Sequence, residues 1–396
     1  MTLGEGAPAA ARTSSPRVLL GLALLILGWA CAAPGTGETD DAGTGVTDAG
    51  LSLDGGPGSA PDAGAPVDAG PAPDAGSTDG GVGGDAGPSP DAGFPADAGL
   101  MDAGPAAADP SMTGPYTITQ IDGTFTVTAS GDSVPMHGAY PTAGPTAGPY
   151  PVVVLAHGFQ LPVTEYVGYL EALASFGYVA LTADYPDPLL GPIDNVEDAQ
   201  DISGGLDWAS TDSTLAGLVD LSKAGVMGHS RGGNGAVLAA SMDPRFLAVL
   251  GLDPVAASPT SATCPDARVA MAGLHIPSLL MGETLDGSGG LLGMSCAPLA
   301  LDYQTFYAAA NSPSIQVTVN GANHMSFLDN PSTCGIVCGA CQTATADHTT
   351  VINMLYAYTV AFFERNLRGN TGDQTYLTGA EAQSRYTPAL ISIVSK

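Results

Sequence analysis

The sequence is poor in basic residues. Its 396 residues include only 10 Lys and Arg against 39 Asp and Glu, which gives a formal net charge of −29 at pH 7. So few cations cannot form a patch that neutralises several phosphates, and this excludes nucleic acid as a partner. The same shortage disfavours direct adsorption to an anionic membrane surface.

Long apolar runs are also scarce. The most apolar stretch near the start, residues 18–27, follows Arg12 and Arg17 and is too short to span a bilayer as a permanent helix. A charged region before a short apolar run is typical of an export leader, which we place at residues 1–33. Cys31, just past this run, resembles the lipidated cysteine of a bacterial lipoprotein; cleavage near Cys31 and free secretion is the alternative. We therefore expect an exported protein, either an outer-membrane or cell-surface lipoprotein or a secreted one, that contacts membrane only through lipid on Cys31.

Residues 34–112 contain no Lys or Arg, fourteen acidic residues and few large apolar side chains. Pro-Asp-Ala-Gly recurs, as at 61–64, 73–76 and 90–93. Such a segment buries too little surface to offset its backbone entropy, so we predict a disordered, extended linker. A calcium-binding repeat is the alternative, but the spacing here is irregular.

Residues 113–396 alternate strand-like and helix-like stretches. Short apolar runs predict strands, and apolar residues at helical spacing predict intervening helices at 166–176, 234–242 and 351–363. Repeated strand-then-helix units predict an α/β domain with a mostly parallel sheet flanked by helices, as in the α/β-hydrolase fold. The predicted strands are 152–155, 178–182, 224–227, 248–252, 277–281 and 315–319.

The motif Gly228-His229-Ser230-Arg231-Gly232 lies between one of these strands and a helix. A strand that turns sharply into a helix through Gly-x-Ser-x-Gly holds its serine on a strained bend with the hydroxyl above the sheet. The bare pattern is common, but a preceding apolar strand and a following Ala-rich helix favour the functional interpretation. We therefore predict that Ser230 is a nucleophile.

A nucleophilic serine needs donors for an oxyanion and a base for its proton. Phe159 follows an earlier strand, so its main-chain N–H and that of Arg231 are the predicted oxyanion donors. In this fold the histidine comes last in the chain, which leaves His324 and His348 as candidates for the base. We favour His324, in a short loop after the strand at 315–319, because His348 begins a helix.

The acid that orients the base is less well defined by the residues alone. Asp253 follows one predicted strand, and Glu283 and Asp286 follow the next. These two strand ends are alternative places for the acid in this fold, and the residues leave the choice open.

Several sequence blocks occur in a characteristic order: 157–159 with the following Tyr166, 175–178, 228–233, 253–255, 296–298, 306–307 and 324–325. In combination they resemble plant chlorophyllases and their bacterial relatives, over most of residues 150–328. The wider group includes platelet-activating-factor acetylhydrolases, dienelactone hydrolases and polyester hydrolases. In chlorophyllases and the acetylhydrolases the acid matches Asp253, whereas in polyester hydrolases it matches Asp286. The resemblance thus implies Asp253, with Asp286 as the alternative.

Cysteines in an exported chain indicate disulfides. Apart from Cys31, we predict one bridge between Cys264 and Cys296 and another within the cluster formed by Cys334, Cys338 and Cys341. A bridge close to His324 would hold the base in place. A zinc site built from the cluster and His348 is the alternative.

The sequence thus predicts an exported serine carboxylic-ester hydrolase that acts through an acyl-enzyme on Ser230 and needs no cofactor or metal. The acidic surface favours neutral or apolar esters, in a small-molecule, lipid or polyester substrate. We expect a monomer. Two alternatives remain: an inactive, surface-displayed binding module with a hydrolase fold, and an acyltransferase that uses the same three residues.

Overall fold

A computed structural model describes residues 108–188, 193–257, 263–289, 295–333 and 341–396. They contain one nine-stranded sheet. Its strands are β1 (Thr117–Thr126), β2 (Ser133–Ala143), β3 (Tyr150–Ala156), β4 (Val179–Ala183), β5 (Val219–His229), β6 (Phe246–Leu252), β7 (Ser278–Glu283), β8 (Ser314–Val319) and β9 (Ile391–Ser395).

The strand order is β1-β2-β4-β3-β5-β6-β7-β8-β9. The six central strands, from β4 to β8, pair in parallel, so their carboxyl ends lie along the same edge of the sheet. β1 and β2 add an antiparallel hairpin at one side and β9 pairs antiparallel with β8 at the other. Loops that follow β5, β6, β7 and β8 therefore meet at one edge, where ligands bind in open parallel sheets.

Helices cover both faces of the sheet. In chain order they are α1 (Val167–Ser175), α2 (Asn195–Thr211), α3 (Arg231–Met242), α4 (Ala267–Gly273), α5 (Tyr303–Ala309), α6 (His348–Leu367), α7 (Gln374–Leu377) and α8 (Ala380–Tyr386). Acidic N-caps begin several of them: the side chain of Asp194 accepts from the amides of Val196 and Glu197 at the start of α2. Such a cap satisfies helix amides that have no partner within the helix.

The continuous apolar sequence of β3 is explained by two cores. Val153 and Leu155 pack on one face of the sheet with residues of α1 and α6, whereas Val152 and Val154 pack on the other with residues of α2 and α3. Since successive side chains of a strand point to opposite faces, a strand covered on both sides must be apolar throughout.

The predicted α/β fold is confirmed. Each of the six predicted strands lies within or overlaps an observed strand, and the three predicted helices correspond to α1, α3 and α6. β1, β2 and β9 were not predicted: β1 and β9 are edge strands that carry many exposed side chains, and β2 alternates buried and exposed residues. The predicted leader and most of the predicted linker lie outside the described residues. Within the described ranges, no helix is both long and apolar enough to cross a membrane.

Candidate active site

Ser230 stands at the sharp turn between β5 and α3. Its backbone has φ 57° and ψ −123°, a region that residues other than glycine rarely adopt. The turn is close-packed: a Cβ added to Gly228 would lie 2.2 Å from the carbonyl oxygen of Gly232, and one added to Gly232 would lie 2.2 Å from that of Ala156. Glycine at both flanks of the serine is therefore required by packing, as the motif predicts.

His324 lies between a hydroxyl and a carboxylate. Its Nε2 is 2.8 Å from the Oγ of Ser230, and its Nδ1 is 2.6 Å from the Oδ2 of Asp253. His324 and Asp253 are fully buried and Ser230 is 2% exposed. The order hydroxyl, imidazole, carboxylate is the arrangement that transfers a proton from a serine nucleophile to a base held in one tautomer.

The structure separates the three candidate carboxylates. Asp253 contacts the ring of His324, whereas Asp286 accepts a hydrogen bond of 2.8 Å from the main-chain N–H of the same residue. Glu283 accepts from the amides of Leu285 and Asp286 in its own loop. Only Asp253, among the described carboxylates, bonds the imidazole of His324.

The histidine and carboxylate are both held in a low-dielectric environment. Burial lowers the pKa of His324, and the carboxylates of Asp286 and Glu283 partly oppose that shift. Burial raises the pKa of Asp253, and the nearby carboxylates of Asp302 and Asp286 raise it further. The shift at His324 favours the neutral imidazole, and its Nδ1–H, 2.6 Å from the Oδ2 of Asp253, is the donor that holds that carboxyl group ionised against its burial. A neutral imidazole is the form that accepts a proton.

The segment after β3 approaches the serine turn. A Cβ on Gly158 would lie 3.0 Å from the Nδ1 of His229, which shows how closely the two segments pack. Tyr185 donates to the carbonyl oxygen of His157, and Tyr166 accepts from the N–H of Gly158 at 3.0 Å. The loop that carries Phe159 is thus fixed by hydrogen bonds on both sides of its backbone.

The two predicted oxyanion donors, the amides of Phe159 and Arg231, have no acceptor within the described parts of the chain. Arg231 is the first residue of α3, where an amide has no partner within the helix. Its side chain points elsewhere: it forms buried ion pairs with Asp187 and Asp198, and Asp187 also accepts from the amide of Gln160. These contacts anchor the serine turn to the loop after β4, through Asp187, and to α2, through Asp198.

The predicted disulfide between Cys264 and Cys296 is wrong. Cys296 is bonded to Cys341, with the two Cα atoms 5.5 Å apart. β7 and β8 are neighbours in the sheet, so the loops that follow them come together although 45 residues separate the two cysteines. Cys264 is also disulfide-bonded.

The same bond corrects the prediction for the cysteine cluster. Cys341 is not bridged within the cluster, and its sulfur is not available to the zinc site proposed with His348. Cys334 and Cys338 lie outside the described residues. Asp286, Cys296 and Cys341 form a group with metal-ligand spacing, but two of its three sulfur and oxygen donors are joined as a disulfide.

Several contacts around the site were not predicted from the sequence. Tyr166 and His229 form a buried hydrogen-bonded pair, and Gln342 contacts the loops that carry Asp286 and His324. The position of His229 next to the serine was the available signal. Nothing in the sequence pattern indicated Gln342, because its partners are 56 and 19 residues away.

A mostly parallel sheet with a strained serine, a histidine and a carboxylate at the ends of its strands defines a serine hydrolase of the α/β-hydrolase type. Comparison with known proteins narrows this class. The family model Chlorophyllase matches residues 113–395, and the chain therefore belongs to the chlorophyllase family.

Similar proteins include a chlorophyllase, a terephthalate-ester hydrolase and a cutinase. Chlorophyllase-1 of Arabidopsis thaliana is 29% identical over 250 residues, which cover 59% of this chain and 76% of the plant protein. Bis(hydroxyethyl) terephthalate hydrolase of Streptomyces coelicolor is 27% identical over 57% of this chain and 66% of its own length. Cutinase est1 of Thermobifida alba is 25% identical over 45% of this chain and 54% of its own length. Together with the family match, they identify the protein as a carboxylic ester hydrolase of the serine type.

Proposed function

We propose that the protein is an exported esterase that cleaves neutral or apolar esters through an acyl-enzyme on Ser230. The observation that carries the proposal is the continuous contact from the Oγ of Ser230 through the ring of His324 to Asp253, at 2.8 and 2.6 Å. A serine hydroxyl is a weak nucleophile unless an adjacent base takes its proton, and this contact supplies the base.

In the first half of the reaction the Oγ of Ser230 bonds to the ester carbonyl carbon while its proton passes to the Nε2 of His324. Asp253 accepts from Nδ1 and stabilises the imidazolium. The main-chain amides of Phe159 and Arg231 hold the negative oxygen of the tetrahedral intermediate. The alcohol leaves with the proton from Nε2, and the acyl group remains on Ser230.

In the second half a water molecule gives its proton to the Nε2 of His324 and attacks the acyl carbon. The tetrahedral intermediate collapses, the proton returns to Ser230 and the acid is released. The low pKa of His324 supports this role, because the imidazole is neutral at the start of each half-reaction.

The net negative charge of the domain indicates which substrates to expect. Residues 113–396 contain twenty-four acidic and eight basic residues, so the field of the domain repels an anionic ester and leaves a neutral one unaffected. Polyesters and lipids are the larger neutral esters that we expect alongside small ones. The cutinase and terephthalate-ester hydrolase relatives support this choice.

The test is hydrolysis by the full chain of p-nitrophenyl esters from acetyl to palmitoyl, with Ser230→Ala beside the wild type. We expect turnover by the wild type and a loss of at least about 10³-fold in the variant. A matched pair, p-nitrophenyl butyrate and the monoanionic p-nitrophenyl succinate, tests the charge argument: the anion should react more slowly, and added salt should narrow the gap. Absence of turnover on every ester would contradict the proposal and favour the binding module.

Export is supported by two features. The leader-like residues 1–33 precede the folded part, and the Cys296–Cys341 disulfide is of a kind that persists in oxidising compartments. Expression of the full chain in a Gram-negative host with radiolabelled palmitate separates the two anchoring modes. Label that is present in the wild type and absent in Cys31→Ser would establish lipidation. An unlabelled, soluble protein in the medium would favour free secretion.

A further inference from the structure

The main chain of His324 is held at both ends. Its N–H donates to the Oδ2 of Asp286 at 2.8 Å, and its carbonyl oxygen lies 3.0 Å from the Nε2 of His229. His229 and Asp286 are themselves fully buried. Among the described residues, Ser230 and Asp253 form the hydrogen bonds to the imidazole of His324, so these two further hydrogen bonds act on the backbone from which the imidazole projects.

The direction of each hydrogen bond around His229 follows from its partners. The N–H of Gly158 can only donate, so the hydroxyl oxygen of Tyr166 accepts from it at 3.0 Å. The hydroxyl proton of Tyr166 is then directed to the Nδ1 of His229, 2.9 Å away. A neutral His229 therefore carries its proton on Nε2, which donates to the carbonyl of His324. Burial and the nearby ring of His324 lower the pKa of His229 and keep it neutral.

Asp286 complements this bond from the other side. His324 begins a one-turn 3₁₀ helix, His324–Phe327, so its N–H has no acceptor within that turn. One oxygen of Asp286 accepts from this N–H, and the other accepts from the amide of Gln342 at 2.7 Å. Asp286 thus joins the histidine loop to the segment next to the Cys296–Cys341 disulfide.

We infer that His229 and Asp286 are positioning residues that clamp the main chain of His324 so that its imidazole meets Ser230. His229 also ties the histidine loop, through Tyr166, to the loop that carries Phe159. One buried chain of hydrogen bonds then fixes the positions of the base, the nucleophile and the oxyanion donors relative to one another. Asp286 acts in this account without contact to the imidazole. The inference rests on the proposed function, because it takes His324 as the base.

The test compares His229→Leu with His229→Gln in the full chain. Leucine removes the donor to His324, whereas the amide nitrogen of glutamine reaches a similar place and keeps it. A misplacement of about 1 Å costs on the order of 10²-fold in rate. We therefore expect kcat of His229→Leu to fall by about 10- to 100-fold, with KM within about twofold, and His229→Gln to recover most of the loss. Asp286→Ala should likewise lower kcat and leave KM within about twofold of the wild type.

Asn311 offers a matched control. Its side-chain amide donates to the carbonyl oxygen of Leu274 at 2.7 Å, at the edge of the sheet where β7 and β8 begin, so Asn311→Leu removes a side-chain to main-chain bond outside the site. It should lower the melting temperature without lowering kcat. All rates are expressed per active site, counted by a fluorophosphonate that labels Ser230, so that unfolded molecules do not contribute. If His229→Leu does not fold, Tyr166→Phe is the second variant, and its kcat should fall about three- to tenfold.

Failure of the inferred clamp and failure of the proposed function give different results. If kcat per labelled site in His229→Leu and Asp286→Ala equals that of the wild type while Ser230→Ala is inactive, the clamp is wrong and the proposed function stands. If Ser230→Ala retains full activity, the proposed function itself fails, whatever the His229 variants do. Failure of glutamine to recover activity would also overturn the role assigned to the Nε2 donor.

Discussion

At Ser230 the chain adopts a conformation that costs on the order of 1–3 kcal/mol for a residue with a side chain. Its neighbours hold it there. The N–H of Ser230 donates to the carbonyl of Leu252, and its own carbonyl accepts from Gly233 and Val255. Asp253, which follows β6, also has a positive φ, of 43°. Two of the three proposed catalytic residues are therefore presented by strained backbone at the ends of adjacent strands.

The two aspartates near His324 should respond differently to loss of charge. Asp253→Asn leaves a side chain of the same shape, but its amide can hold the imidazole in the wrong tautomer, so kcat should fall by about 10³- to 10⁴-fold. Asp286→Asn keeps an acceptor for the N–H of His324 and should lose less than about 30-fold. Steady-state kinetics on p-nitrophenyl butyrate measure both.

The reverse order of these two losses would assign the acid to Asp286. The sequence left this choice open because both residues follow strands that end at the same edge of the sheet. The distance that distinguishes them depends on how the His324 loop folds back, and no spacing along the chain encodes it. In the folded protein Asp286 bonds the main-chain N–H of His324 and not its imidazole ring.

At the scale of elements, the turn from β5 into α3 depends on close contact with the end of β3. Gly232→Ala would place a methyl group 2.2 Å from the carbonyl of Ala156 and 2.4 Å from that of His157. The backbone must shift to relieve this, so the free energy of unfolding should fall by about 3 kcal/mol or more and activity should be lost. Urea unfolding followed by circular dichroism measures the change.

Gly217→Ala is the control for the turn, because no atom lies within 4 Å of the added methyl group. It should leave stability within about 0.5 kcal/mol of the wild type. An unaltered unfolding curve for Gly232→Ala would show that the turn is looser than its contacts indicate.

The loops after β7 and β8 are joined by the Cys296–Cys341 disulfide. The bond closes a loop of 45 residues, and its loss in Cys296→Ala/Cys341→Ala should lower the free energy of unfolding by about 4 kcal/mol on the chain-entropy model. The main-chain N–H of Gln342, the next residue, donates to Asp286, and its carbonyl oxygen accepts from the side-chain amide of Asn323. Loss of the disulfide should loosen both contacts, so kcat should also fall about three- to tenfold. Thermal unfolding and kinetics at 20 °C measure the two effects.

A double variant as stable and active as the wild type would refute a role for this bond.

The pairing shows why part of the fold was predictable and part was not. Strands β3, β4, β6 and β7 and the buried end of β5 were recognised because burial on two faces forces continuous apolar sequence. The edge strands β1 and β9, which expose many side chains, carry no such signal. Cysteine pairing depends on which loops the sheet order brings together, and β7 and β8 become neighbours only in the folded sheet.

For the molecule as a whole, buried carboxyl groups should make stability depend on pH. Burial, opposed by the hydrogen bond from Ser130, raises the pKa of Asp201 to about 7. Burial and the charge of Asp253 raise that of Glu283 to about 8. Each folded value is above the ordinary value of about 4, so the folded state binds more protons than the unfolded one between pH 4 and 8. The stability from these groups is fully present below about pH 4 and is lost progressively as pH rises to the folded pKa values of about 7 and about 8.

We therefore expect the melting temperature to rise by about 3 °C or more when the pH falls from 8 to 6.5, as measured by calorimetry. Below pH 6.5 the buried imidazoles of His229 and His324, whose pKa values are lowered, oppose the rise because the unfolded state binds their protons first. Asp201→Asn keeps an acceptor for Ser130 and removes the charge, so it should be more stable than the wild type at pH 8 and should depend less on pH. Asp220 is the matched control: hydrogen bonds from Ser222 lower its pKa, so its charge stabilises the fold above pH 4 and Asp220→Asn should lose stability at pH 8. A melting temperature that is highest at pH 8 would contradict this account, because the buried carboxyl groups would then have to be stabilised in their ionised form by contacts that offset their burial.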